Sequence, residues 1–503
     1  MLLEFFSSVH TWTVLAILTT LACTFMLRPR RRPAFPIVNK YPSDFFGRRA
    51  YHEVRENASR LIIEGLAKYQ GPITVAIPYS QKIVLPSSLV GWVKSNKDLD
   101  HKQLVREDFF SGIPGFEGLS VLHDPDEMLI GVIKTKMGQN DSTMAAMNAS
   151  LAKGLQALWG NHQTWHTIDW QKDTMGIIAR AASSVFVGPE KADDPEWLDL
   201  VQSYVLAYFT GVSDLHRYPP WSRSIVHWFL PSAIACRKYV ARARAIMNEV
   251  LRKRQQEIKS AELEGKEHPE YNDALAWAQA ASGGKAEAGD VQLSLAMAAL
   301  FTTTELFRQL LIDIARHAEL VEPLKNEVLE QISAHGISVA ATTNMVLLDS
   351  FMKESQRLSS ALVALERIAS KDTALPDGKV IPRGSHIMVD STDLWNPAVY
   401  PNPNQFDGHR FLRKRQEGDK SSQFVQSSPD YNVFGGGRHI CPGRFFASNE
   451  LKLTLVHILF KYEIRLAKSY APKNIQRGFY AMVDPNTQLE VRRKGGLTTD
   501  LLL

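Results

Sequence analysis

The 503-residue chain has only three cysteines, Cys23, Cys236 and Cys441. They are too few and too scattered for a disulfide framework, which suits a reducing compartment. No segment repeats at a fixed period, and no clean linker follows residue 40. A chain of this length could hold several domains, but one large unit is the better reading. No Gly-x-Gly-x-x-Gly opens a helix, so the chain lacks that fingerprint of a flavin or dinucleotide site. No basic stripe with interleaved aromatics stands out, and the net charge of +5 is modest. Nucleic acid is therefore not the expected partner. The apolar run near the N-terminus has no basic residue before it, only Glu4. A cleavable signal peptide would carry positive charge there.

What is present begins with that run, Val9 to Leu27, followed by Arg28, Arg30, Arg31 and Arg32. A membrane-spanning helix needs about 20 residues, and the run just reaches that, although His10 and several threonines weaken it. The arginines after it place the following chain on the cytosolic side. The expected layout is an anchor over 1–27, a basic, proline-containing hinge over 28–40 that includes Arg32-Pro-Ala-Phe-Pro36, and one domain over 41–503. The hydrophobic content of 45% allows that domain a sizeable core.

Along the domain, Gly71–Pro78 and Gln81–Leu85 read as two short strands joined by a turn. Phe109, Phe110 and Phe116 lie in a Gly/Pro-containing loop, as local packing or as substrate contacts. Trp197–Phe209 and Ala233–Gln256 read as helices separated by Tyr218-Pro-Pro-Trp221. Trp221, Trp228 and Phe229 are candidates for a membrane interface, with core packing as the alternative. Lys259–Gly289 is charged and rich in alanine and glycine, and is expected to be a mobile connection. Asp290 is expected to cap a long helix over Val291–His317.

The most informative segment is Phe434-Gly-Gly-Gly-Arg-His-Ile-Cys-Pro-Gly443, followed at once by a helical pattern from Arg444. Glycines let a backbone approach a flat ligand closely. A thiolate at the mouth of a helix is favoured by the dipole and by free N–H groups, and Arg438 and His439 add basic groups beside it. A thiolate on haem iron favours O–O cleavage. The alternative is a buried free cysteine beside a glycine-rich turn.

Phe434, Gly437, His439, Cys441 and Gly443 match the haem-binding loop of the cytochrome P-450 family, Phe-x-x-Gly-x-Arg/His-x-Cys-x-Gly. The run after it resembles the membrane-bound fungal branch that oxidises terpenoids, alkaloids and polyketides. The resemblance extends from about Arg30 onward. It implies a mostly α fold with a small β region, and haem b between the long helix and the Cys441 loop.

It also implies residue roles. Cys441 would be the iron ligand, and Phe434, Gly437, Arg438, His439 and Gly443 would surround the cofactor. Ala298-Ala-Leu-Phe-Thr-Thr-Thr304 matches the family's oxygen-activation segment, so Thr302, with Thr303 beside it, would assist oxygen activation. The other reading of Thr302 is a hydroxyl bonded back to its own helix. Phe301 departs from the pattern, because the family places an acid or histidine there and a phenyl ring relays no proton.

Glu354, Arg357 and Arg410 match a buried structural triad, and Arg367 an arginine that pairs with a haem propionate. Ala361–Leu365 would pass over the haem edge. The family's Trp-x-x-x-Arg for the second propionate is missing, and Lys134 or Lys136 is the expected replacement. Electrons would come from NADPH through a partner reductase, with cytochrome b5 as a further donor. The substrate would be a lipophilic small molecule, the protein monomeric, and the location the endoplasmic reticulum membrane by a single pass. Within the same fold, rearrangement, desaturation or ring expansion remains an alternative outcome. From a different class, a non-catalytic haem sensor or carrier remains.

Overall fold

The two short hydrophobic runs near residue 75 form the edge of a five-stranded sheet in the computed structural model. The structure describes residues 34–44, 47–124, 126–473 and 475–495, with positions 13 and 16. Apart from those two positions, the apolar N-terminal run and the arginines after it lie outside the described residues.

The sheet comprises β1 (Ile73–Ile77), β2 (Ser80–Leu85), β3 (Leu99–Asp100), β4 (Val363–Ala369) and β5 (His386–Asp390), in the order β1-β2-β5-β4-β3. β1 and β2 are an antiparallel hairpin with Ile73 opposite Val84, whereas β2 pairs with β5 in parallel. β4 runs antiparallel to β5 with a register shift between Ala364 and Arg367. Leu365, inside that irregularity, has φ 52°. A bulge bends its strand and re-aims the side chains around it. A separate hairpin, β6 (Ile475–Arg477) with β7 (Tyr480–Met482), lies near the C-terminus.

The rest is mainly helical. The helices that position the site are α1 (His101–Asp108), α2 (Pro195–His216), α3 (Pro231–Leu263), α4 (Ala288–Arg316), α5 (Val346–Leu358) and α6 (Arg444–Lys461). α1 starts where the Asp100 carboxylate accepts from the N–H groups of Lys102 and Gln103. α2 starts with Asp194 as cap and Pro195 in the first turn, the arrangement a proline tolerates best.

α4 is apolar on most sides and lies against α2, α3 and α5. Among the described residues it is the one helix long and apolar enough to cross a membrane, yet it is mostly buried inside the fold. Such a helix, apolar all round, is a core helix of a large domain. It begins earlier than expected. Its cap is Glu287, which accepts from the Gly289 N–H, and not Asp290. Asp290 instead holds Arg244 of α3 in a two-point bond, 2.8 Å on each oxygen. Gly289 allows this approach, since a Cβ there would lie 2.6 Å from the Arg244 Cα.

The expected mobile connection over Lys259–Gly289 is corrected in part. Ala274–Ser282 is a helix, capped by Asp273 and burying Leu275 and Ala278. Arg254 fixes that cap through two bonds to the Asp273 carboxylate.

Candidate active site

The loop before α6 is held by its own backbone. The Cys441 N–H donates to the Phe434 carbonyl at 2.8 Å, and Arg444 Nη1 donates to the Cys441 carbonyl at 2.8 Å. Gly437 has φ 62°, and a Cβ there would lie 2.4 Å from the Lys94 carbonyl oxygen. A side chain at that position is thus excluded twice, by conformation and by space. The Phe434 ring packs edge-on against Phe424 at 5.3 Å.

Cys441 faces a cavity of 3130 Å³ together with Phe434, Arg438 and His439. Burial raises the thiol pKa, while the backbone N–H groups of Gly443 and Arg444 and the Arg444 charge work the other way. These are the groups that favour a thiolate once it has a cationic partner. α4 contributes Leu295, Ala298, Phe301, Thr302 and Glu305 to the cavity wall, and the β4 approach contributes Ala361–Arg367.

Thr302 donates back to the Ala298 carbonyl at 3.0 Å, so its hydroxyl lies at the wall with the bond typical of mid-helix threonine. Thr303 is buried and does not line the cavity. The expectation that it shares the catalytic position is therefore corrected: at about 100° per residue the cavity face of α4 is an arc carrying Leu295, Ala298, Phe301, Thr302 and Glu305, and the step past Thr302 takes Thr303 outside it. Phe301 reaches the cavity and packs on Phe209 of α2 at 5.1 Å.

One rim of the cavity is basic. Arg367 Nη1 donates to the Glu366 carbonyl and lies 3.5 Å from His101 Nδ1. Arg438 Nε lies 2.9 Å from His439 Nε2, and the His101 and His439 rings are 5.7 Å apart. Among the described residues no carboxylate forms an ion pair with Arg367 or Arg438. Burial and the Arg438 charge push Arg367 down to about 10. Burial and the neighbouring cations push His439 down to about 4 and lower His101 as well. Gathered cations that suppress each other's charge are complementary to an anion.

Lys134 also lines the cavity, whereas Lys136 does not. Both lie in a one-turn π-helix, Ile133–Met137, and Lys134 is exposed. His101 carries no motif and is legible only in three dimensions, where the α1 N-terminus meets β4. The residues present fit haem: a thiol on one wall, the small Ala298 beside Thr302 on α4, and cations at the rim for two carboxylates.

Glu354, Arg357 and Arg410 do not line the cavity. Glu354 takes two bonds from Arg357, at 2.8 and 2.9 Å, and one from Arg410 at 3.0 Å. Glu354 and Arg357 are fully buried.

A family model described as cytochrome P450 matches residues 135–491. The chain belongs to the cytochrome P450 family. A cytochrome P450 monooxygenase of Penicillium ochrochloron, ptmU, is 32% identical over 500 residues, covering 97% of this chain and 98% of that protein. A cytochrome P450 monooxygenase of Aspergillus oryzae, hepE, is 33% identical over 501 residues, covering 97% and 91%. Among solved structures, the cytochrome P450DA heme domain matches with a TM-score of 0.67 at 16% identity, covering 92% of this chain and 97% of that one. A retinoic acid-bound cyanobacterial P450, CYP120A1, matches at 0.63, covering 87% and 95%. The expected fold, mostly helical with a small β region, is thus the P450 fold. The chain is an oxidoreductase, a haem monooxygenase, and the family's cofactor is haem on a cysteine thiolate.

Proposed function

We propose that the chain oxidises a lipophilic small molecule in fungal secondary-metabolite biosynthesis, with Cys441 as the iron ligand. The single observation that carries the assignment is the Cys441 side chain at the wall of the large cavity, in a loop closed by its own N–H. The haem supplies oxygen activation and O–O cleavage when bound.

The rest is the work of the chain. Arg367, His101, Arg438 and His439 would take the propionates, with Lys134 lining the same cavity. Ala298 leaves room beside the cofactor, and the Thr302 hydroxyl releases its bond to the Ala298 carbonyl to pass a proton. Phe109, Ile113, Phe209 and Ala361–Leu365 line the space where an apolar substrate rests and water is excluded. Electrons come from NADPH through a membrane-bound reductase. Residues 1–27 anchor the protein in the endoplasmic reticulum membrane, and the expected hinge over 28–40 is shortened to the chain ahead of Phe35, because Phe35 and Asn39 are buried and Ile37 bridges Thr74 of β1. Trp221, Ile225, Trp228 and Phe229, from 51 to 75% exposed, rest on the same bilayer; tryptophan favours that interface.

A second reading, desaturation or rearrangement, is favoured by Phe301. Its ring seals the wall against Phe209 at the position where a proton donor would stand.

Cys441→His is expected to lose the red-shifted ferrous–CO Soret band that a thiolate ligand gives. Retention of a normal band would refute Cys441 as the ligand. Thr302→Ala is expected to lower product formed per NADPH by about 10²-fold, the lower end of general acid–base assistance. Thr303→Ala should leave that ratio unchanged. The opposite ranking would remove Thr302 from its role.

A further inference from the structure

We infer that the part of the cavity bordered by the segment between α2 and α3 is an anion subsite, in which Arg223 takes a carboxylate carried by an otherwise lipophilic substrate. The inference rests on the reading of this cavity as the substrate site. Arg223 opens a short helix, Arg223–Val226, beyond Pro219 and Pro220, and it lines the cavity. Its guanidinium lies 5.4 Å from the centre of the Phe110 ring. That ring is 6% exposed and packs against His216 at 5.0 Å. The guanidinium is therefore half-buried at the edge of the cavity, beside that ring. Arg217 also borders the cavity, but its side chain is 74% exposed and pairs with Asp214 at 3.5 Å.

Arg223 uses little of its bonding capacity. Nε donates to the Tyr218 carbonyl at 3.0 Å, and among the described residues Nη1 and Nη2 have no acceptor. The carboxylate whose charge reaches it is Asp108, and that one is already committed. Asp108 pairs with Lys82 at 3.1 Å and with His386 at 3.1 Å. Burial lowers the Arg223 pKa, the expected response of a cation without a close counter-ion.

A guanidinium presents paired donors that match a carboxylate in two bonds. The same cavity wall carries Phe109, Ile113, Phe209, Val212 and Phe301. A molecule with an apolar body and one anionic end satisfies both parts. His216 donates to the Asp108 backbone carbonyl at 2.9 Å, which holds the Phe110 platform in place.

The test uses the full-length holoenzyme in phosphatidylcholine nanodiscs. Equilibrium dialysis measures binding of dodecanoic and hexadecanoic acids against their methyl esters. Wild type should bind the acids about 10- to 100-fold more tightly, the worth of hydrogen bonds to a charged group. Arg223→Gln should abolish that preference and leave ester affinity unchanged, which also shows that the variant is folded. Arg217→Gln should keep the preference. A wild type indifferent to the carboxylate, or an Arg223→Gln variant that retains the preference, overturns the subsite. So does an Arg223→Gln variant that loses only its binding to anionic vesicles, which would assign the guanidinium to lipid phosphate. The ferrous–CO band read on the same samples separates the two readings. A normal thiolate band without acid preference removes the subsite alone.

Discussion

Two charge clusters of similar chemistry behave as opposites. In the first, Glu354 and Arg357 lie one turn apart on α5 and Arg410 joins them from a later loop. Arg357 also donates to the carbonyls of Leu394 and Pro403, at 2.5 and 2.7 Å. Arg410 does the same for Pro401 at 2.7 Å and Gln405 at 3.2 Å. The cluster thereby pins residues 394–410 to the helix. In the second, Lys82 of β2, Asp108 of α1, Glu366 of β4 and His386 of β5 meet beside the cavity. Lys82 Nζ lies 3.1 Å from Asp108 and 3.4 Å from Glu366. Both ring nitrogens of His386 face carboxylate oxygens, at 3.1 and 3.0 Å. Tyr480 of β7 donates to Glu366 at 2.5 Å.

The difference is in what can titrate. Arginine stays charged at any working pH, so the first cluster is a fixed lock around the segment leading to the Cys441 loop. The second needs a doubly protonated imidazole to satisfy two carboxylates. It is a tie whose strength follows pH, located where α1 runs into the Phe109–Phe116 loop.

The largest effect should come from the lock. Arg357→Ala leaves Glu354 buried without its main partner, at a cost of about 3–5 kcal/mol, a large share of a typical ~5–15 kcal/mol stability. Denaturant unfolding and haem content should both report little folded protein. A stable variant with full haem and impaired turnover would reverse the assignment of the triad as structural.

An intermediate effect is expected from Glu366→Gln. It removes one of two carboxylates from Lys82 and His386 and weakens the acceptor of Tyr480. The expected loss is about 1.5–3 kcal/mol, the scale of hydrogen bonds to charged groups, with faster hydrogen exchange in residues 475–482. A loss as large as that of Arg357→Ala would erase the distinction between the clusters.

The smallest effect is a slope. Burial works against a charged His386, but hydrogen bonds from its ring to Asp108 and Glu366 outweigh it and raise its pKa above the ordinary 6.5. A raised histidine contributes stability that is complete below 6.5 and lost as pH climbs through the folded value. Burial likewise opposes the Glu366 charge, but Lys82 and His386 hold it down to about 2. Its contribution is complete above the ordinary 4.5 and lost as pH falls toward that lower value. The tie is therefore strongest between about 4.5 and 6.5. Unfolding free energy against pH should show a decline above 6.5 in wild type that is absent in His386→Gln. An unchanged decline in the variant would assign it to another group.

The two clusters also differ in how legible they are. Glu354 and Arg357 share a helix face because residues three apart meet there, and Arg410 follows a recognisable Phe-Asp-Gly-His-Arg run. Lys82, Asp108, Glu366 and His386 are separated by up to 304 positions in a chain of 503 residues and carry no motif. They meet because β2 pairs in parallel with β5, and β5 with β4. His101 joins the basic rim for the same reason. Thr303 was misplaced because sequence adjacency is not facial adjacency on a helix, and Asp290 because a good cap residue was claimed by Arg244.

By itself the sequence determined the family, the Cys441 loop, the long core helix and the Glu354–Arg357 pair. Each depends on residues close together in the chain, where backbone geometry alone fixes what meets. Only the tertiary structure decided that Arg223 borders the cavity beside Phe110, that His386 touches two carboxylates, and that Arg367, His101 and Arg438 form one rim. Those contacts join elements distant in sequence. Their partners are set by strand pairing and helix packing, which no local pattern encodes.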